Sequence, residues 1–389
     1  MRVYLDNAAT TPIDKQVVEA MLPFLTEHFG NPSSVHWHGR HVRAEIEKAR
    51  KLVAELIGAS PAEIFFTSGG TEADNCVLWG AVETYNIKNL ISSPLEHHAV
   101  LHTLKEISEK KQIPLHWVEI NKKGEINKEH LHQLVQQNPN ALVSLMHGNN
   151  EIGNLISLEE IGEICKSYGA FFHSDTVQTM GHYAYHLKTT PLDYLVGAAH
   201  KFHGPKGVGF MFVRQKSKIH PYITGGSQER NMRGGTENVA GIVGLAKALQ
   251  LAYENMQGHE QHIRSLKAAM IELLKEKVPD VQFNGMSADL EKSLYTVLNV
   301  SLPPSEEGSM LLFNLDIAGV SASGGSACSS GSESRSHVLQ AIDAPAERPA
   351  VRFSFSRFNT IEDIRFAVDV MAQWYTKKQR AKSVQMNDE

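Results

Sequence analysis

Ile13, Val17, Val18, Met21, Leu22 and Leu25 recur at helical spacing, and Asn31-Pro32 closes that helix. A second helix carries Val42, Ile46, Ala49, Leu52, Val53 and Leu56 and stops at Gly58. Seven short apolar runs follow and read as strands: 64–67, 90–92, 115–118, 142–145, 170–173, 194–196 and 209–213. Helical stretches lie between most of them, and Ser157 with Glu160 three residues on reads as a capping box. Alternation of strand and helix predicts an α/β fold with a mostly parallel sheet covered on both faces. The pattern breaks at Gly225-Gly226, a helix runs through Leu251, and Gly258 to Arg264 begins another long one. Mixed signals beyond predict a smaller α+β unit.

With 389 residues the chain is long for one core. The division expected is a large α/β domain over 13–256 and a small α+β domain from 1–12 and 257–389. Hydrophobic content of 42%, charged content of 21% and a net charge of −5 suit a globular enzyme and argue against a nucleic-acid partner. Three cysteines with no CxxC suggest no disulfide framework and a reducing cytoplasm. No signal peptide and no membrane-length apolar run is read from the sequence. His36, His38 and His41 cluster without a nearby cysteine, so no metal site is expected there. Cys76 and Cys165 fall on helical patterns and read as buried small hydrophobes.

Three segments carry candidate chemistry. Thr67-Ser-Gly-Gly-Thr-Glu72 joins a strand to a helix, and its glycines and helix N-terminus can cradle a phosphate. Asp175 ends one strand and Lys201 follows another, where ligands of open parallel sheets bind. Desolvation at such a strand end would lower the Lys201 pKa and make it a usable amine. Alone, the first segment is as readily a bare turn and Asp175 a capping residue, and most lysines are solvated surface groups. Together they are what pyridoxal phosphate requires: an amine to bind it, a carboxylate for the pyridine nitrogen and a phosphate cup.

The chain resembles the cysteine desulfurases of the class V aminotransferase family, the NifS/IscS-like group. The resemblance runs from Tyr4-Leu-Asp-Asn-Ala-Ala-Thr-Thr11 to Val351-Arg-Phe-Ser-Phe-Ser-Arg357. Between them come, in the family's order, Ser68-Gly-Gly-Thr-Glu72, Glu96-His97, Met146-His-Gly-Asn-Asn-Glu-Ile-Gly153, Asp175 with Gln178, His200-Lys201, Arg233-Gly-Gly-Thr236 and Ser326-Ala-Cys328.

The resemblance implies fold type I of the pyridoxal-phosphate enzymes, with a seven-stranded sheet. Lys201 would bind the cofactor covalently and then move the substrate α-proton. Asp175 would pair with the ring nitrogen, Gln178 and Asn150 would lie near the ring oxygen, and His97 would stack on the ring and act as an acid–base group. Gly70, Thr71 and His200 would hold the phosphate. Thr236 would reach the phosphate of a second subunit, which implies a homodimer. Arg352 would clamp the substrate carboxylate, with Asn150, Asn31 and Ala8 lining the substrate end. The substrate would be L-cysteine, the product L-alanine, and Cys328 would take the sulfur as a persulfide for an acceptor protein. Selenocysteine lyase chemistry overlaps with this reading.

Ten of the fourteen residues at 321–334 are Ser or Gly, so Cys328 sits on a segment that cannot pack a core, with Gly324, Gly325 and Gly331 as hinges. An imidazolium at His97 could favour its thiolate. One departure stands out: where the family usually has Ser two residues before the His of His-Lys, this chain has Ala198. That removes one hydroxyl from the phosphate cup and predicts weaker cofactor retention.

Overall fold

The computed structural model describes residues 1–304, 308–324 and 335–385. Cys328 and the proposed hinges Gly325 and Gly331 lie outside the described residues. In chain order the strands are β1 (Val3–Tyr4), β2 (Ile64–Thr67), β3 (Asn89–Ser92), β4 (Leu115–Trp117), β5 (Ala141–Ser144), β6 (Phe171–Asp175), β7 (Tyr194–Ala198), β8 (Gly209–Val213), β9 (Gln282–Phe283), β10 (Val297–Ser301), β11 (Val320–Ser321) and β12 (Ala350–Ser354). The helices used below are α1 (Lys15–Thr26), α2 (Trp37–Leu56), α3 (Gly70–Tyr85), α4 (His98–Lys111), α5 (Lys128–Gln137), α6 (Leu158–Ser167), α7 (Val239–Glu254) and α8 (Met256–Lys277). Beyond them come α9 (Leu311–Ile317), α10 (His337–Ala341) and α11 (Ile361–Gln385).

All seven apolar runs are strands of one sheet, in the order β2-β8-β7-β6-β5-β3-β4. The pairings β4–β3, β3–β5, β5–β6 and β6–β7 are parallel, whereas β8 runs antiparallel to both β7 and β2. Strands β2, β5, β7 and β8 are buried at every residue, as a sheet covered on both faces requires. Successive side chains divide between the two covers. Phe66, Val143 and Leu195 pack with Ile46, Val53, Leu131, Ile161 and Leu245, that is, under α2, α5, α6 and α7. Their neighbours Phe65, Leu142 and Val196 pack with Val77, Leu78, Val100 and Leu104 of α3 and α4.

A second core joins Val3 and Leu5 to Leu266, Met270 and Leu274 of α8, Leu298 and Val300 of β10, Phe353 of β12, and Ile364 and Val368 of α11. Its sheet is antiparallel, in the order β12-β10-β9. The N-terminal segment belongs to both regions. β1 pairs with β11, Leu5 O accepts from Ser354 N at 2.7 Å, and Thr11 N then donates to His200 O at 2.9 Å, just past β7. Residues 6–11 thus pass from the second core to the carboxyl end of the large sheet.

Two local expectations need correction. The first helix ends at Thr26, ahead of the expected stop at Asn31-Pro32, and of its periodic residues Val17 is buried while Leu22 and Leu25 are more than half exposed. Periodicity reports one apolar side without saying what covers it. The capping box at α6 is half formed. Ser157 Oγ accepts from Glu160 N at 3.2 Å, but the Glu160 carboxylate pairs with Lys128 instead. Cys76 and Cys165 are 1% exposed, and burial pushes the Cys76 thiol up to about 12. Among the described residues, no helix is long and apolar enough to cross a membrane.

Candidate active site

The carboxyl ends of the parallel strands open on a cavity of about 250 Å³. Ala8, Gly70, Thr71, His97, Asn150, Asp175, Gln178, His200, Lys201 and Arg352 all line it, together with Ala198. Sequence positions from 8 to 352 therefore meet in one chamber. Thr236 and Asn31 do not. Thr236 lines a separate cavity with Ser68 and Arg233, and Asn31 is exposed, its Oδ1 accepting from Ser33 N at 2.9 Å.

One wall is the start of α3. Its N-cap is Gly69, which has no side chain to occupy the free N–H groups, so they remain available to an anion. The backbone comes close here. A Cβ on Gly70 would lie 2.8 Å from Val177 Cγ2 and 3.6 Å from Ala198 Cβ. Only glycine leaves that space open.

The N-terminal segment forms another wall and orients four groups. Lys201 Nζ donates to Ala8 O at 2.5 Å and Ala9 O at 2.8 Å. Gln178 Nε2 donates to Ala8 O at 3.0 Å, and His200 Nδ1 lies 3.1 Å from Thr10 Oγ1. Arg352, 1% exposed, donates from Nη2 to Asp6 Oδ1 at 2.9 Å and from Nη1 to Asn150 O at 3.0 Å. Its Nε is buried with no hydrogen-bond partner, a donor left for a ligand. Asn150 is itself held by its neighbour: Asn149 Oδ1 accepts from the N–H groups of Glu151 and Ile152, and Asn149 Nδ2 donates to Leu95 O.

Electrostatically the chamber is divided. Asp175 is buried, and its Oδ1 accepts from Val177 N at 2.9 Å. Burial raises its pKa to about 6, opposed by that hydrogen bond and by Lys201. Such a carboxylate calls for a cationic partner. His97 is the N-cap of α4, with Nδ1 accepting from Ala99 N at 3.2 Å. Burial first, then Lys201, His337 and His102, lower its pKa to about 4. The expected imidazolium is therefore a neutral imidazole near pH 7. His200 is likewise held at about 4, by burial, Lys201 and Lys206.

This donor set fits pyridoxal phosphate. An uncapped helix N-terminus beside a glycine faces the phosphate end, a buried carboxylate asks for the ring's N–H, and an amine and a guanidinium close the chamber. Three lining or supporting residues escaped sequence reasoning: Asp74, Asp6 and Asn149. Asp74 falls one helical turn after Gly70, a spacing that places both on the same side of α3. Asp6 lies inside the Tyr4–Thr11 motif but carries no signal of its pairing with residue 352.

The fold and chamber define a pyridoxal-phosphate-type enzyme of the class V aminotransferases. Residues 3–366 match the family model described as aminotransferase class-V, and the chain belongs to that family. Within it, the chain is 43% identical over 373 residues to "Cysteine desulfurase IscS" of Dictyoglomus turgidum, covering 95% of this chain and 93% of that protein. It is 40% identical over 376 residues to "Putative cysteine desulfurase IscS 1" of Bacillus subtilis, covering 95% and 98%. Among solved structures, a "NIFS-LIKE PROTEIN" superposes with a TM-score of 0.88 at 36% identity, covering 97% of this chain and all of that one.

Proposed function

We propose that this chain is a cysteine desulfurase: it takes sulfur from L-cysteine onto Cys328 as a persulfide, releases L-alanine and passes the sulfur to an acceptor protein of iron–sulfur or thio-cofactor synthesis. The observation that carries this is the meeting of Lys201, Asp175 and Arg352 around one cavity with the open start of α3.

Pyridoxal phosphate, when bound, supplies a carbonyl that condenses with amines and a ring that withdraws electrons from the substrate's Cα and its Cβ–S bond. Lys201 would hold it, Asp175 would pair with its ring nitrogen, and Gly70, Thr71 and His200 would hold its phosphate. The guanidinium of Arg352 takes the substrate carboxylate, a planar fork suited to two parallel hydrogen bonds. The Lys201 amine would move the substrate α-proton. Ala8 O and Ala9 O are placed to hold its amine nearby. His97, neutral at its position, would lie against the ring and could accept a proton. Cys328 as thiolate attacks the substrate sulfur, and the carbon fragment leaves with the Cβ–S electron pair to become alanine.

The active form is a homodimer in which Thr236, outside the chamber of its own chain, completes a partner's phosphate site. Supporting this, Phe29, Val35 and Trp37 are 78%, 87% and 59% exposed beside Leu25 at 67%, an apolar surface that calls for a cover. The domain division follows the two cores, 13–256 against 1–12 with 257–389, and the cytoplasm is the compartment.

The test uses two variants. Lys201→Ala should purify without the yellow of bound cofactor. Cys328→Ser should bind L-cysteine and change the cofactor spectrum, yet release no sulfide above background when alanine and sulfide are assayed. Wild-type turnover by Cys328→Ser would end the persulfide reading.

A further inference from the structure

Three buried carboxyl groups lie near enough to act on one another electrostatically: Asp74, Glu96 and Asp175. Their surroundings differ. Asp175 Oδ1 accepts from Val177 N at 2.9 Å, and Glu96 Oε1 accepts from Met146 N at 2.8 Å. Asp74, 1% exposed and lining the chamber, has no hydrogen-bond partner at Oδ1. That atom faces His173 Nε2 across 3.4 Å, and Nε2 is equally without a hydrogen bond. The other ring nitrogen, Nδ1, lies 2.8 Å from Ser144 Oγ. His173 and Asp175 are alternate residues of β6 and so project from the same face.

The 3.4 Å separation is longer than a closed ion pair and weighs against charge separation. An imidazolium–carboxylate pair in a dry interior closes to about 2.7–2.9 Å. A lone carboxylate there, beside two further carboxyls, has nothing to offset its desolvation. The pKa directions agree: burial, then Asp175 and Glu96, push Asp74 well above the carboxylate range, and burial lowers His173 to about 3.

We infer that Asp74 and His173 form a neutral carboxylic acid–imidazole pair behind Asp175, which leaves Asp175 as the carboxylate that ionises toward the cation in the chamber. Asp74 is thus a positioning residue. By staying uncharged it keeps a second anion away from the ring-nitrogen end, a consequence that rests on the cofactor reading above, whereas the pair itself does not. The charged and titratable groups around it are Cys76 on its own helix, Glu96 and Asp175 beside it, and His97, His200, Lys201 and Arg352 along the same chamber.

Infrared difference spectroscopy of the full cofactor-free chain near neutral pH tests the pair directly. Wild type minus Asp74→Asn should show the C=O band of a protonated carboxyl, and carboxylate bands in its place would overturn the proposal. His173→Gln should move that band by changing its partner, and an unmoved band would equally overturn the pair. In the holoenzyme, Asp74→Asn should leave the pH midpoint of cofactor absorbance in place, because it removes no charge. A displaced midpoint would show that Asp74 is charged and would overturn the proposal. If the protein takes up no pyridoxal phosphate, the functional reading fails while the infrared bands still decide the pair.

Discussion

Ala198 shows how one atom tunes the chamber. Its Cβ stands beside the start of α3, close to where the anion must sit. A serine there would add a hydroxyl within reach of a bound phosphate. A hydrogen bond to a charged group is worth roughly 1.5–3 kcal/mol, so Ala198→Ser should tighten pyridoxal phosphate about tenfold or more. Equilibrium dialysis of the two proteins measures this, and equal dissociation constants would remove Ala198 from the account. Arg352 makes the complementary point. A guanidinium this deeply buried needs its counter-charge, and Asp6 supplies it from the N-terminal segment just past β1, 346 residues away in sequence.

At the scale of elements, the chamber depends on how closely β2, β8 and β7 approach at one level. Gly209 of β8 sits between Thr67 of β2 and Ala198 of β7. A Cβ there would lie 2.6 Å from Gly197 O and 2.8 Å from the Gly69 carbonyl carbon, both backbone atoms that cannot swing aside. Gly209→Ala should therefore lower stability by roughly 1–3 kcal/mol and also weaken cofactor binding, because the displaced backbone is the cradle itself. Urea melts with a cofactor titration check both effects, and unchanged values would show that the cradle is looser than drawn. Strands β2, β5, β7 and β8 were legible because they are buried at every residue and read as apolar runs such as Ile64-Phe-Phe, whereas β4 at the sheet edge, Leu115-His-Trp117, is only partly covered. β1, β9 and β11, two residues each, give no pattern to read, and the reversal of β8 has no local signature. In the site, Lys201 and Asp175 were legible as strand-end residues of the right chemistry. Asp6 and the Asp74–His173 pair were not, since their meaning lies in partners brought by other elements.

Across the whole molecule the same burial that shapes the chamber fixes the response to acid. His97, His147, His182 and His200 are held at about 4, and His173 and His203 at about 3, in each case chiefly by desolvation. In the unfolded chain these imidazoles take up protons near 6.5. The folded state therefore binds fewer protons between about pH 6.5 and pH 4, and its stability, complete above that window, is lost as pH falls through it. Asp175, raised to about 6 by burial, and Asp74, Glu96 and Glu151, also raised, act in the opposite direction. The imidazoles outnumber them, and each contributes roughly 1.4 kcal/mol per pH unit below its unfolded value. The cofactor-free chain should consequently unfold at clearly lower urea at about pH 5.5 than at about pH 7.5. His147 isolates one share of this effect. It lies outside the chamber, with Nδ1 3.0 Å from both Thr179 Oγ1 and Tyr185 OH. His147→Gln keeps a polar partner there without a titrating ring, so the fall in stability between those two pH values should shrink by about one proton's worth. An unchanged fall would mean that His147 does not stay neutral in the folded chain.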